Sequence, residues 1–289
     1  MTIPRSYHTL DANLLIRNYL QTKGKEMKVI GIAEQFFVLF GNEQNERPHR
    51  HYGIQLLIPT NTLAINRYQT DASAIIDSHV EHVVYGDGNI LSLLFNPETT
   101  IGRRISNHHF QNKKSAYEGI VYFHNPHLTT NAKAMTRTID GSAPNNAAIN
   151  ELIYSTVEQL LRGVPPLRQL DDRVSDVIQY IESSDFTHLR YEDAVNSVFL
   201  SKSRVTHLFT EEMGISLMKY MTWKRLLHAS KEIALSGKSI TEAAHLYGFA
   251  DAAHFSRVFK ENFGVSPSGV FQKQQKNDRL IHVFTRDFS

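Results

Sequence analysis

The stretch LSKSRVTHLFTEEMGISL (200–217) returns as ADAAHFSRVFKENFGVSP (250–267), in register without a gap at an offset of 50 residues. Ser201 aligns with Asp251, and both are good helix N-caps because their side-chain oxygens accept from orphan backbone N–H groups. Val205 aligns with Phe255, Leu208 with Val258, Phe209 with Phe259 and Met213 with Phe263. Their i, i+3, i+4, i+8 spacing predicts one buried face on each of two short helices. Gly214 and Gly264 follow the last buried residue, where a helix end takes up a left-handed backbone. The remaining positions form a second face: Lys202, Ser203, Thr206, His207 and Thr210 in one copy, Ala252, Ala253, Ser256, Arg257 and Lys260 in the other. Two capped helices with small or polar outer faces predict a double reader of a groove.

The segments upstream complete each unit. In SITEAAHLYGF (239–249), Ser239 caps a helix that turns Ile240, Ala243 and Ala244 inward. Gly248 supplies the backbone freedom of a helix-turn-helix turn. YEDAVNSVFL (191–200) plays the same part without a glycine. Between the units, Ser216 to Leu235 reads as one long helix with Leu217, Tyr220, Met221, Leu226, Leu227, Ile233 and Ala234 available for burial. Twenty helical residues span roughly 30 Å, close to the roughly 34 Å between successive major-groove faces. A helical repeat array is the competing reading, but two copies are too few to stabilise one.

Residues from about 167 to 276 resemble the DNA-binding domain of the AraC/XylS family of bacterial transcription regulators. The resemblance is carried by Asp172-Arg173-Val174, Leu200-Ser201, Leu208-Phe209, Arg225-Leu226 with Ala229, and above all GKSITEAAHLYGFADAAHFSRVFKENFGVSPS (237–268). The first unit departs from the family pattern, with Ala194-Val195 in place of Leu-Ala. The resemblance implies double-stranded DNA as partner, and it allows RNA polymerase as another.

Composition fits a folded two-domain chain. Of 289 residues, 41% are hydrophobic and 21% charged, as in soluble globular proteins. Cysteine is absent, which excludes disulfides, zinc fingers and thiol catalysis. There is no apolar run long enough for a membrane span, and the start MTIPRSYHTLDANLL lacks a signal-peptide core, so a cytoplasmic location is expected. The net charge of +2 says little by itself. Its distribution says more: 201–276 holds 11 Lys/Arg against 6 Asp/Glu, while 167–200 holds 3 against 7. The basic excess lies where phosphates would.

Ahead of this region the pattern changes to strands. MKVIGIA, QFFVLFG, YGIQLLIP, TLAINRY, SAIID, NILSLLF and GIVYF are β-rich runs broken by turn residues, which predicts a small sandwich or barrel. A short helix is conceivable over Ala12–Leu20. In RPHRHYGIQLLI (47–58), His49 and His51 share a side of an extended segment, Gln55 follows four residues later, and His82 opens a later strand. This layout resembles the cupin-type effector domains attached to many family members. In cupin enzymes the matching positions bind a metal, but Gln55 replaces the acid and the turn before His82 lacks its Pro-Gly. The expectation is therefore an effector pocket at His49, His51, Gln55 and His82, with no metal and no cofactor. His79, His108, His109, His124 and His127 read as loop residues, and 129–146 as a polar loop. AAINELIYSTVEQLLRG (147–163) is an amphipathic helix with Ile149, Leu152, Ile153, Val157, Leu160 and Leu161 in one stripe. That stripe either packs on its own domain or forms a homodimer through 147–162. Gly163-Val164-Pro165-Pro166 ends it and marks a boundary.

The chain thus reads as an α+β two-domain protein: a cupin-like β-barrel or sandwich for sensing and dimerisation (1–163), an all-α double helix-turn-helix domain (164–276) and a tail (277–289). The expected function is sequence-specific transcription regulation under a small-molecule effector, without enzymatic activity. The alternative is a cupin metalloenzyme with an accessory helical domain. Base readout falls to Ser203, Thr206 and His207 in the first reader and to Ala252, Ala253, Ser256 and Arg257 in the second. Here Arg257 suits guanine and the alanines suit a thymine methyl. Ser201, Lys202, Lys219, Lys224 and Lys260 are the phosphate candidates.

Overall fold

A computed structural model describes residues 27–42, 48–110, 119–141, 145–167, 169–271 and 280–283. The short helix considered over Ala12–Leu20 lies outside them. The N-terminal half is built on two open sheets. The larger has the strand order β10-β1-β2-β8-β3-β6-β9, and the smaller has β5-β4-β7. The strands of the large sheet are β1 (Met27–Ile32), β2 (Phe36–Gly41), β3 (Ile54–Pro59), β6 (Ser73–Ile76), β8 (Ile90–Phe95), β9 (Ile120–Phe123) and β10 (Leu280–Val283). The small sheet has β4 (Thr62–Ile65), β5 (Tyr68–Thr70) and β7 (Val84–Asp87). Neighbours pair antiparallel except β1 and β10, which run parallel. The sheets do not close into a barrel, so the sandwich half of the expectation is the one realised.

β2, β3 and β8 are buried at every position, which explains their continuous apolar sequences: both faces of the large sheet are covered. Three helices cover one face. They are α1 (Thr100–His109), α2 (Pro126–Ile139) and α3 (Asn146–Leu161), which bring Ile101, Ile105, Leu128, Met135, Ile153 and Val157 onto Phe40, Leu56 and Leu93. On the other face, the small sheet packs through Leu63, Ile65 and Val84 against Leu57, Ala74 and Ile76.

Helix α2 corrects the loop read over 129–146. Asn125 caps it, accepting from the His127 and Leu128 amides, and Pro126 stands in its first turn, a helix-start pattern. Only Leu128, Ala132 and Met135 are buried. The rest of TTNAKAMTRTI is polar enough to look unstructured, and part of that polarity serves packing, with Asn131 donating to Ser155 and Thr156. His108, His109 and His127 accordingly lie on helices rather than loops. The α3 stripe packs on its own sheet: Ile149, Ile153, Val157 and Leu160 are buried in that core. It is therefore not the free apolar face that the dimer reading through 147–162 required.

The C-terminal half is helical: α4 (Asp172–Ser183), α5 (Tyr191–Asn196), α6 (Lys202–Met213), α7 (Leu217–Ser236), α8 (Ile240–Leu246), α9 (Ala252–Phe263) and α10 (Pro267–Phe271). The first unit closes around Val177, Ala194, Val205, Phe209 and Met221. The second shares its core with the large sheet of the N-terminal half. Phe255, Phe259, Phe263 and Trp223 pack with Ile30, Ile32, Phe37, Leu39 and Leu94. Part of the tail also returns to the N-terminal half as β10, at the edge of the large sheet. Among the described residues no helix is long and apolar enough to cross a membrane.

Candidate nucleic-acid interface and sensor site

Both reading helices form as their caps dictate. Ser201 accepts from the Arg204 amide and Asp251 from the His254 amide. Gly214 and Gly264 end the helices with φ of 77° and 72°. Ser239 and Glu242 close a reciprocal capping box on α8, and Gly248 turns the chain with φ 75°. Lys202, Ser203 and His207 on α6, and Ala253, Arg257 and Lys260 on α9, are exposed, while Thr206, Ala252 and Ser256 are half-buried. Arg204 joins this exposed face of α6. Arg225 packs beneath Gly248 and donates to the Leu189 carbonyl at 2.7 Å, tying the two units together.

Two phosphate candidates are used elsewhere. Lys224 is buried at 8% exposure, with its ammonium 2.7 Å from Glu182 and 3.6 Å from Glu34. A buried, doubly paired lysine cannot serve a backbone phosphate, and the helical period of α7 alone did not reveal which way it points. Lys219 is exposed, but its ammonium sits over the Tyr52 ring, 5.6 Å from the centroid, on the sensor side. Ser201, Lys202 and Lys260 remain exposed on the reading side.

The N-terminal half holds both α6 and α9 by their C-terminal turns. Arg103 on α1 donates to the Glu212 carbonyl of α6 at 2.6 Å, with Met213 Sδ at 3.4 Å. The Tyr52 and Gly53 amides donate to the Glu261 and Asn262 carbonyls of α9 at 2.7 and 3.2 Å. The helix ends thus find donors for carbonyls left over from the helical ladder. Glu34 adds ion pairs to Lys231 and Lys224 of α7. These bonds leave the N-terminal halves of α6 and α9 outward.

The predicted sensor residues do come together. His49 and His82 form an antiparallel bridge through both backbone bonds. The three imidazoles of His49, His51 and His82 have ring centroids 4.4–5.7 Å apart. His51 Nδ1–H donates to the Gly53 carbonyl at 2.8 Å and His82 Nδ1–H to the Val80 carbonyl at 2.9 Å. Gln55 Oε1 lies 3.1 Å from Nε2 of each ring, and its amide nitrogen donates to Ser92. Burial lowers His51 to a pKa of about 4 and His82 to about 3. Both are therefore neutral near pH 7. Three imidazole nitrogens and an amide oxygen are a donor set that a d-block ion accepts.

One cavity lies between the halves, with a volume of about 410 Å³, walled by Arg50, His51, Tyr52, His79 and Glu98 on one side and Lys219, Trp223 and Val258 on the other. A second, of about 420 Å³, is lined by Glu98 and Arg103 together with Tyr220 and Lys224. Glu98 is 2% exposed. Tyr52 donates its hydroxyl to it, and burial raises its pKa despite that bond. Tyr52 and Glu98 were invisible as site residues because they meet only through folding.

Residues 195–273 match the helix-turn-helix domain family. The arabinose operon regulatory protein of Salmonella typhimurium is 36% identical over 124 residues, covering 42% of this chain and 39% of that protein. The lactose operon transcription activator of Staphylococcus xylosus is 24% identical over 139 residues, covering 46% and 50%. The chain thus spans half or less of these relatives' own length. Apo ToxT from Vibrio cholerae aligns over 82% of this chain and 97% of its own at a TM-score of 0.48 and 13% identity.

Proposed function

We propose that this chain is a sequence-specific DNA-binding transcription regulator, with a sensing part over 1–163, a reading part over 164–276 and a tail over 277–289. The observation that carries this reading is the matched presentation of α6 and α9. Each buries its inner face, is held at its C-terminal turn by the sensor, and leaves Ser203, Thr206 and His207, or Ala252, Ala253, Ser256 and Arg257, on the outer side. Ser201, Lys202 and Lys260 flank those faces as phosphate contacts. In this reading no residue is catalytic, in keeping with relatives named as operon regulators.

The cavity between the halves is the proposed effector site. A small polar molecule there would touch Tyr52 and Glu98 of the sensor and Lys219 of α7 at once. It can alter DNA binding only through different affinities for two arrangements of the halves. A thermal-shift screen of small metabolites on the full chain and on Lys219→Ala tests the site. Hits that stabilise the wild type and lose their effect in the variant support it, and hits indifferent to Lys219 place the effector elsewhere.

A further inference from the structure

The repeat that aligns Ser201 with Asp251 also aligns Phe199 with Phe249. The two rings have opposite surroundings. Phe249 is 5% exposed and lies edge-on to Phe255, with centroids 5.3 Å apart, in the core of the second unit. Phe199 is 108% exposed, and the next large hydrophobic side chain among the described residues, Leu235, reaches only 68%. The backbone explains the difference. Gly248 turns the chain with φ 75° just before Phe249. Val198 stands in the matching place, and a β-branched residue rarely adopts that conformation. The first unit instead makes a tight three-residue turn, in which the Leu200 amide donates to the Val198 carbonyl at 2.8 Å. Val198 and Leu200 pack on the core of the first unit, which leaves Phe199 at the tip of the turn with its ring in water. A wholly exposed ring adds no hydrophobic stabilisation to the fold.

We propose that Phe199 reads one thymine of the DNA site, packing its ring against the 5-methyl group at the edge of the segment that α6 covers. This role rests on α6 reading DNA, as proposed above, and adds a specificity-determining residue to it. The turn that carries Phe199 leads directly into the N-cap Ser201 and the first helical residue Lys202. Ser201, Lys202, Ser203 and Arg204 are all exposed, and the N-terminal half of α6 is the part that the N-terminal half of the chain leaves outward. Polar and basic neighbours of this kind suit a polyanion. A phenyl ring has no hydrogen-bond donor or acceptor, so it cannot pair with the polar edges of bases. What remains for it in the major groove is the thymine methyl, the apolar group displayed there. The second unit has no such contact to offer, because its Phe249 is buried. The two readers are therefore unequal, and thymine selection by an aromatic ring belongs to the first.

The test uses the full-length chain on a DNA site that it selects from random sequence. Each thymine of that site is replaced in turn by deoxyuridine, which removes only the methyl group. For the wild type, one replacement should weaken binding about 4-fold, the worth of one buried methyl. Phe199→Ala should weaken binding to the unmodified site about 10-fold and become indifferent to that same replacement. Its salt dependence should stay as in the wild type, since no phosphate contact is removed. Its melting temperature should also be unchanged, because the ring is wholly exposed. Phe199→Leu, which keeps an apolar side chain, should retain part of the sensitivity. Equal DNA binding by wild type and Phe199→Ala overturns the thymine contact and leaves the ring to a protein partner. A loss in Phe199→Ala that is coupled to no thymine overturns it as well, in favour of packing on the sugar. A wild-type chain that selects no site overturns DNA reading and this contact together, whereas a selected site indifferent to Phe199 overturns this contact alone.

Discussion

Phe37 on β2 stacks on Phe263, the last residue of α9, with ring centroids 4.5 Å apart and planes at 28°. A strand of the sensing half and a helix of the reading half thus share one aromatic core, which Phe259 extends edge-on at 5.9 Å from Phe37. The proline-marked boundary at 164–166 suggests separable modules, but this contact joins them. Removing the ring should cost about 3–5 kcal/mol, as for buried Phe→Ala in general. Thermal melts of Phe37→Ala should show a lower midpoint for the whole chain. An isolated 167–276 fragment, with this face exposed, should bind a hydrophobic dye that the full chain does not.

Gly214 and Gly264 provide an internal control. Both cap a reading helix in the left-handed region, but nothing lies within 4 Å of a side chain added at Gly214, whereas Gly264 faces His51 and His49. Gly214→Ala should cost about 1–2 kcal/mol for backbone strain alone. Gly264→Ala should cost more, because the histidine rings must also give way. Denaturant unfolding of the two variants measures the difference, and equal losses would mean that the α9 end does not press on the cluster.

The buried carboxyl of Glu98 gives a pH dependence with a definite sign. Burial raises its pKa in the folded chain above the usual 4.5, so folding favours the protonated form. The stability this contributes is fully present below pH 4.5 and is lost as pH rises through the folded value. Glu98→Gln keeps an acceptor for Tyr52 and removes the charge. It should match the wild type at about pH 4 and be more stable at pH 7, as read from melting temperatures across that range.

Much of the reading half was legible because its signals are local. The caps at Ser201, Ser239 and Asp251, the glycines at 214, 248 and 264, and the period of Val205, Phe209, Phe255 and Phe259 each act within a few residues. The orientation of α7 was not legible. It is buried from several sides, through Leu217, Tyr220, Trp223, Leu227 and Ser230, so periodicity could not say that Lys224 faces inward. The pairing of His49 with His51 was legible from their spacing on an extended chain, and Gln55 and His82 joined them only through the resemblance to cupin domains. The cluster's position against Gly264 and the cavity walled by Tyr52 and Glu98 were not legible, since both arise from packing between segments far apart in sequence.

The division of labour between Arg257 and Lys260 tests the reading of DNA most directly. Both are exposed on α9, with Arg257 nearer the N-terminal half. A site selected from random DNA by the full-length chain would be varied one base pair at a time, and binding of wild type, Arg257→Ala and Lys260→Ala measured against each variant at several salt concentrations. The expected result is a loss of about 1–3 kcal/mol for Arg257→Ala with relaxed preference at one base pair. Lys260→Ala should weaken all sequences alike and lower the salt slope by about one. Failure to select any preferred sequence, or an Arg257→Ala loss that is equal across every variant, would contradict base reading by α9.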